Sequence, residues 1–182
     1  MTIIAQSPLP PSPAEAAVAC AIHCCDEKEY SLKNTRGGRK TCQRLGHRKH
    51  SCVLHKLREH TASGRLTTTN KVPGVQASPR FKVKGISRTL IPDTIVDGNK
   101  VIDAKFPCKT EDVHSPTDTP PGTGPGFTSG SGTRQYPCDS RAGTAMTTGK
   151  ESRDYKKIKG VKKVECMTPE DAKAKKGSDC TC

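Results

Sequence analysis

Apolar residues between Leu90 and Phe106 fall in two short β-rich runs, "LIPDTIV" and "KVIDAKF", separated by Asp97, Gly98 and Asn99. That triplet predicts a hairpin, because Asp, Gly and Asn accept the left-handed backbone a tight connection needs. A helical pattern precedes it. In "GHRKHSCVLHKLREH", from Gly46 to His60, Cys52, Val53, Leu54 and Leu57 recur at helical spacing among basic residues. From Thr61 to Ile86 the scattered Gly, Pro and Thr predict a loop, with one short strand near "FKVKGI".

Further along, "SPTDTPPGTGPGFTSGSGTRQYP" is low in complexity and predicts a mobile insertion. Order returns near Thr147, where "TTGKESRDYKKI" suits a helix start and sets Tyr155 and Ile158 on one face. "VKKVECM" alternates as a short strand does, and Thr168, Pro169 and Glu170 open a helix as N-cap, N1 and N2. The order helix, hairpin, long loop, helix, strand, helix suits a small α/β domain on a mixed sheet. Residues 1–18 read as a flexible leader, and residues 19–182 as a single domain with a mobile loop at about 114–146.

Composition limits the core. Apolar residues make up 31% of the 182, aromatics 3%, and there is no Trp, so the buried part must be built on Val, Ile, Leu and Ala. Charge points to a partner: 31 Lys and Arg against 18 Asp and Glu leave a formal +13, a field that draws in polyanions. Nucleic acid is therefore the first partner to consider. An anionic membrane is a weaker rival, since no long stretch combines a basic face with a broad apolar one.

A conflict sits inside the hairpin. With Asp97, Gly98 and Asn99 as a three-residue loop, Val96 opposes Lys100, and counting back sets Asp93 against Asp103. Lys105 shares a face with Asp103, because strand side chains repeat every second residue. Opposed carboxylates repel by roughly 0.2–1 kcal/mol when solvated and by more on apolar strands. A hard divalent cation relieves this, since Mg²⁺ takes one or two carboxylates and keeps positions for water and phosphate oxygens.

Pro92-Asp93, nine residues, then Asp103-Ala104-Lys105 resembles the PD-(D/E)xK signature of restriction-endonuclease-like nucleases. Within that superfamily the chain resembles virus-type replication-repair nucleases and the nuclease domains of bacterial toxins. "RLGHRKHSCVLHKLREH" is similar to their helix before the hairpin, and "DYKKIKGVKKVECMTPEDAK" to the closing helix-strand-helix of the toxins. The resemblance covers roughly residues 20 to 182 and implies a restriction-endonuclease-like core, a small mixed sheet flanked by helices. It further implies that Asp93 and Asp103 hold Mg²⁺ or Mn²⁺ and that Lys105 serves the attacking water. The family often adds an acid from the preceding helix, for which Glu59 is the candidate. A polar residue of the following helix has no obvious counterpart, with Lys150 or Glu151 as substitutes. DNA would be the substrate, an acidic immunity protein the inhibitor, and a secretion-system carrier a further partner. A phage or repair nuclease of the same fold would share this chemistry.

Ten cysteines leave a third question. Cys20, Cys24, Cys25 and Cys42, near His23, His47, His50 and His55, could be zinc ligands, disulfides or free thiols, and "CTC" at 180–182 could approach them. A structural Zn²⁺ would make the chain a non-catalytic Cys/His-rich nucleic-acid-binding module, the alternative reading. The first twenty residues have no basic start and carry prolines, so the expectation is a cytoplasmic protein with mostly reduced thiols, delivered to a target cytoplasm without a cleavable signal. Arg48, Lys49, Lys56 and Arg58 are the candidates for contact with the phosphate backbone. Three Phe, three Tyr and no Trp leave little for base stacking.

Overall fold

The computed structural model describes residues 10–28, 38–106 and 154–182. Its elements are α1 (Pro13–Glu27), α2 (Gly38–Leu57), β1 (Arg58–His60), β2 (Leu66–Asn70), β3 (Val75–Ala77), β4 (Thr94–Val96), β5 (Lys100–Ala104), β6 (Lys163–Met167) and α3 (Pro169–Lys175). The α/β expectation holds: a four-stranded sheet in the order β3-β4-β5-β6 carries the helices, and β1-β2 form a separate two-stranded sheet. Pairing is antiparallel from β3 to β5 and parallel between β5 and β6, so the large sheet is mixed.

Helix α1 corrects the expected leader. Ser12 accepts the Glu15 amide as N-cap and Pro13 occupies N1, so helix begins inside the stretch read as flexible. Ala14, Val18, Ala21, Ile22 and Cys25 then form one buried stripe at spacings of three and four. Ser12 also donates to Asp97 Oδ2 at 2.6 Å, which ties the start of the helix to the hairpin turn.

In α2 the buried stripe is Leu45, Lys49, Val53 and Leu57, each four residues from the last. This helix stops at Leu57, earlier than the expected His60, because Arg58 to His60 pair with β2. Residues 78–93 hold one isolated bridge, Phe81 to Leu90, in place of the expected strand.

The hairpin follows the three-residue register, with Val96 opposite Lys100 and Thr94 opposite Ile102. Asp97 at φ 50 and Gly98 at φ 69 take the left-handed backbone that makes so tight a loop possible. Gly74, at φ 78, packs against this loop. A Cβ there would come within 2.9 Å of Asp97 Oδ1, and the Gly74 carbonyl accepts the Asp97 amide.

Alternation divides the core between the two faces of the sheet. Val75, Ala77, Val96, Ile102, Ala104 and Met167 pack with α1, α2 and α3. Ile95, Val101 and Val164 pack on the opposite side with Leu90, Tyr155 and Ile158. Each buried Val, Ile or Leu contributes about 1.5–3 kcal/mol relative to exposure. Strand β6 and helix α3 match the sequence reading, with Thr168 and Asp171 completing a reciprocal capping box.

A charge network joins these layers. Lys100 Nζ lies 2.8 Å from both Glu15 and Glu165, and Lys175 contacts the same two acids. Lys163 adds a third cation to Glu165 at 3.0 Å. Burial alone would raise the Glu165 pKa, but hydrogen bonds from the three lysines outweigh it and bring it to about 2.

Disulfides correct the expectation of reduced thiols. Cys20 joins Cys180, Cys24 joins Cys182 and Cys25 joins Cys52; Cys166 is bonded as well. The Cys42 side chain, the loop at about 114–146, and Lys150 and Glu151 lie outside the described residues. Among the described residues no helix is long and apolar enough to cross a membrane.

Candidate active site

Register and turn geometry bring the two aspartates together as the spacing predicts. Asp93 immediately precedes β4 and Asp103 is the penultimate residue of β5, so they meet at the end of the hairpin away from the loop. Asp93 Oδ2 accepts the Ala104 amide at 2.8 Å, a bond that draws its carboxylate toward β5. Lys105 Nζ lies 2.6 Å from Asp103 Oδ2, on the same side as the parity of the strand requires.

Asp103 is only 4% exposed. Its Oδ2 touches the lysine charge off the direction a hydrogen bond needs, and so has ionic contact but no hydrogen bond among the described residues. Burial, then the negative charge of Asp93, push its pKa up to about 7, against the pull of Lys105. A carboxyl that titrates near neutrality is unusual, and groups of this kind concentrate at functional sites.

Asp93 goes the other way. Burial raises its pKa, but the hydrogen bond and charge of His50 prevail and the net shift is downward. His50 Nδ1 stands 3.3 Å from Asp93 Oδ2, and burial there is likewise overcome by the carboxylate, which raises the imidazole pKa. The ring also meets Phe106 edge-on, with centroids 5.3 Å apart. The neighbour that α2 brings to the pair is thus His50, a histidine where an acid is expected. Its signal was position: it lies seven residues before Leu57, on the margin of the buried stripe of α2.

Glu59, expected on that helix beside the acid pair, lies exposed on β1. The helix has already ended, and the backbone oxygen of Glu59 accepts the Thr67 hydroxyl within the small sheet. Lys49 is no phosphate contact either. It is 4% exposed, pairs with Asp26 at 2.7 Å and lies over the Phe106 ring, because it occupies a stripe position between Leu45 and Val53. Arg58 turns its guanidinium to the carbonyls of Ala77 and Ser78 and so braces β3. Arg48 and Lys56 remain exposed on α2, where they line a cleft of about 1400 Å³ that does not include the acid pair.

Two other groups have the spacing of a metal site. Cys20, Cys24 and Cys180 form one and His23, Glu27 and Cys182 the other, with the ligand atoms of each within 4.8 Å of one another. Their sulfurs are disulfide-bonded, and zinc takes thiolates, so neither group is a zinc site in this oxidation state. Cys25, named beside them from sequence, instead fastens α1 to α2 through Cys52.

No family model, no curated protein and no solved structure matches the chain.

Proposed function

We propose that the hairpin end is the catalytic centre of a metal-dependent nuclease that hydrolyses phosphodiester bonds of DNA. The observation that carries this reading is the convergence of Asp93 and Asp103 with Lys105, one carboxylate held ionised by His50 and the other buried with an oxygen lacking a hydrogen bond. Such an oxygen suits a hard cation, and the donor set fits Mg²⁺ or Mn²⁺, which Asp93 and Asp103 would hold. When bound, the ion would neutralise charge on the phosphate and acidify water.

The residues of the chain supply the rest. His50 positions Asp93 and keeps it charged. Lys105, as an ammonium beside Asp103, donates to the phosphate oxygens as negative charge builds on them. Hydrolysis joins the water oxygen to phosphorus and breaks one bond from phosphorus to a sugar oxygen. A net charge of +13 favours capture of the polyanion.

The biological setting belongs to the same reading. A small basic nuclease with disulfides fits a toxin that crosses an oxidising compartment before acting in a target cytoplasm. An acidic immunity protein would be its natural inhibitor. Cleavage of plasmid DNA with Mg²⁺, and with EDTA, tests the enzyme assignment. Loss of cleavage in EDTA and in Lys105→Ala is expected; equal cleavage by that variant and the unaltered chain would sink the reading.

A further inference from the structure

We propose that Cys20, Cys24, Cys180 and Cys182 form a redox-gated metal site, two disulfides when oxidised and four thiolates around one Zn²⁺ when reduced. The proposal is independent of the nuclease reading, because none of these residues belongs to the hairpin end.

Cys20 and Cys24 are one turn apart on α1 and present their sulfurs side by side. Cys180 and Cys182 approach them from the segment after α3, so two ligands come from each of two elements. The Cα separations across the pairs are 5.6 and 5.1 Å.

Cys24 Sγ lies 4.0 Å from Cys20 Sγ and 3.9 Å from Cys180 Sγ, although it is bonded to neither. Tetrahedral zinc holds each sulfur at about 2.3 Å, which sets sulfurs about 3.8 Å apart. The two contacts that Cys24 makes across the disulfides therefore already have the spacing of a tetrathiolate, and Cys20, Cys24 and Cys180 lie within 4.8 Å of one another. Opening the two bonds and swinging Cys182 toward these three sulfurs are the changes required.

The chemistry balances with a dithiol as reductant. Two dithiols give up four electrons and four protons, the two disulfides become four thiols, and the dithiols leave as disulfides. Binding one Zn²⁺ then releases the four protons. Access is open, since all four cysteines line the cleft between α1, α2 and the 177–182 segment. His23 and Glu27, within 4.8 Å of Cys182 Sγ, are placed to support the ligands. Such a site would keep the 177–182 segment on α1 in either redox state.

The test uses the full chain, reduced with a phosphine under anaerobic conditions and titrated with Co²⁺ and then Zn²⁺. One Co²⁺ per chain is expected, with the charge-transfer and visible bands of a tetrahedral thiolate site, displaced by Zn²⁺; the oxidised chain should take up none. Zn²⁺ should protect Cys20, Cys24, Cys180 and Cys182 from alkylation, read by mass, and leave the reactivity of every other cysteine as it is in the zinc-free reduced chain. The double variant Cys180→Ser, Cys182→Ser should lose the bands. No uptake by the reduced chain, uptake retained by that variant, or protection of other cysteines would overturn the proposal. The protection map is read on the unaltered sequence, so it decides even where a variant folds poorly.

Discussion

His50 Nδ1 stands 3.3 Å from Asp93 Oδ2, and the same oxygen accepts the Ala104 amide at 2.8 Å. Two donors thus hold one carboxylate in its ionised form beside Asp103, whose own ionisation is opposed by burial and by that negative charge. The pair is split into one ionised carboxylate and one acid that titrates near pH 7, an arrangement familiar where carboxylates do chemistry.

The His50 imidazole should titrate above its ordinary value by NMR, and Asp93→Asn should bring it back down. The sign follows from linkage: a raised histidine pKa adds stability below pH 6.5 and loses it as pH rises through the folded value. In His50→Gln, cleavage should fall roughly 10-fold or more and its acid limb should move to higher pH as Asp93 loses its support. An unchanged acid limb would remove His50 from its positioning role.

Asp103→Asn should stabilise the metal-free protein at pH 8 and not at pH 4. The folded pKa of about 7 exceeds the ordinary 3.8, so the folded state holds the extra proton between those values and loses stability as pH climbs. Calorimetric melting at both pH values checks this, with about 2–4 °C expected per kcal/mol gained in a chain this long. Added Mg²⁺ should raise the melting temperature of the unaltered protein more at pH 8 than at pH 5.

Lys49 and Lys56, seven residues apart on α2, should respond differently to removal. Lys49→Ala leaves Asp26 without the cation 2.7 Å away in a buried setting and should destabilise the protein by about 3–5 kcal/mol. Lys56→Ala, at an exposed position, should leave melting within about 0.5 kcal/mol and lower the salt dependence of DNA binding. Denaturant unfolding and binding at several salt concentrations separate the two.

Glu165→Gln should weaken the junction of β5, β6, α1 and α3, where three lysines converge on this acid. A depressed carboxylate pKa adds stability above the ordinary 4.5 that disappears as pH falls toward 2. The variant should therefore melt lower than the unaltered protein at neutral pH and match it near pH 2.

Much of this architecture was legible in the residue order. The hairpin register followed from Asp97-Gly98-Asn99, and the meeting of Asp93 with Asp103 followed from the register. Thr168-Pro169 announced α3 through its cap. Lys49 reads as a phosphate contact by charge alone, whereas its place in the Leu45 to Leu57 stripe buries it. Prolines suggested a leader, yet Ser12-Pro13 is a helix start. The approach of "CTC" to the α1 cysteines was open from sequence, but the pairings were not, since Cys20–Cys180 and Cys24–Cys182 span 160 and 158 residues and no local pattern encodes them.

Titration of the metal-free protein with Mg²⁺ in buffers of different ionisation enthalpy tests the acid pair most directly. Binding should weaken as pH falls below about 7 and release close to one proton per ion at pH 6, the proton carried by Asp103. Binding that survives intact in Asp103→Asn, or that takes up no pH dependence across this range, would contradict a metal held between Asp93 and Asp103.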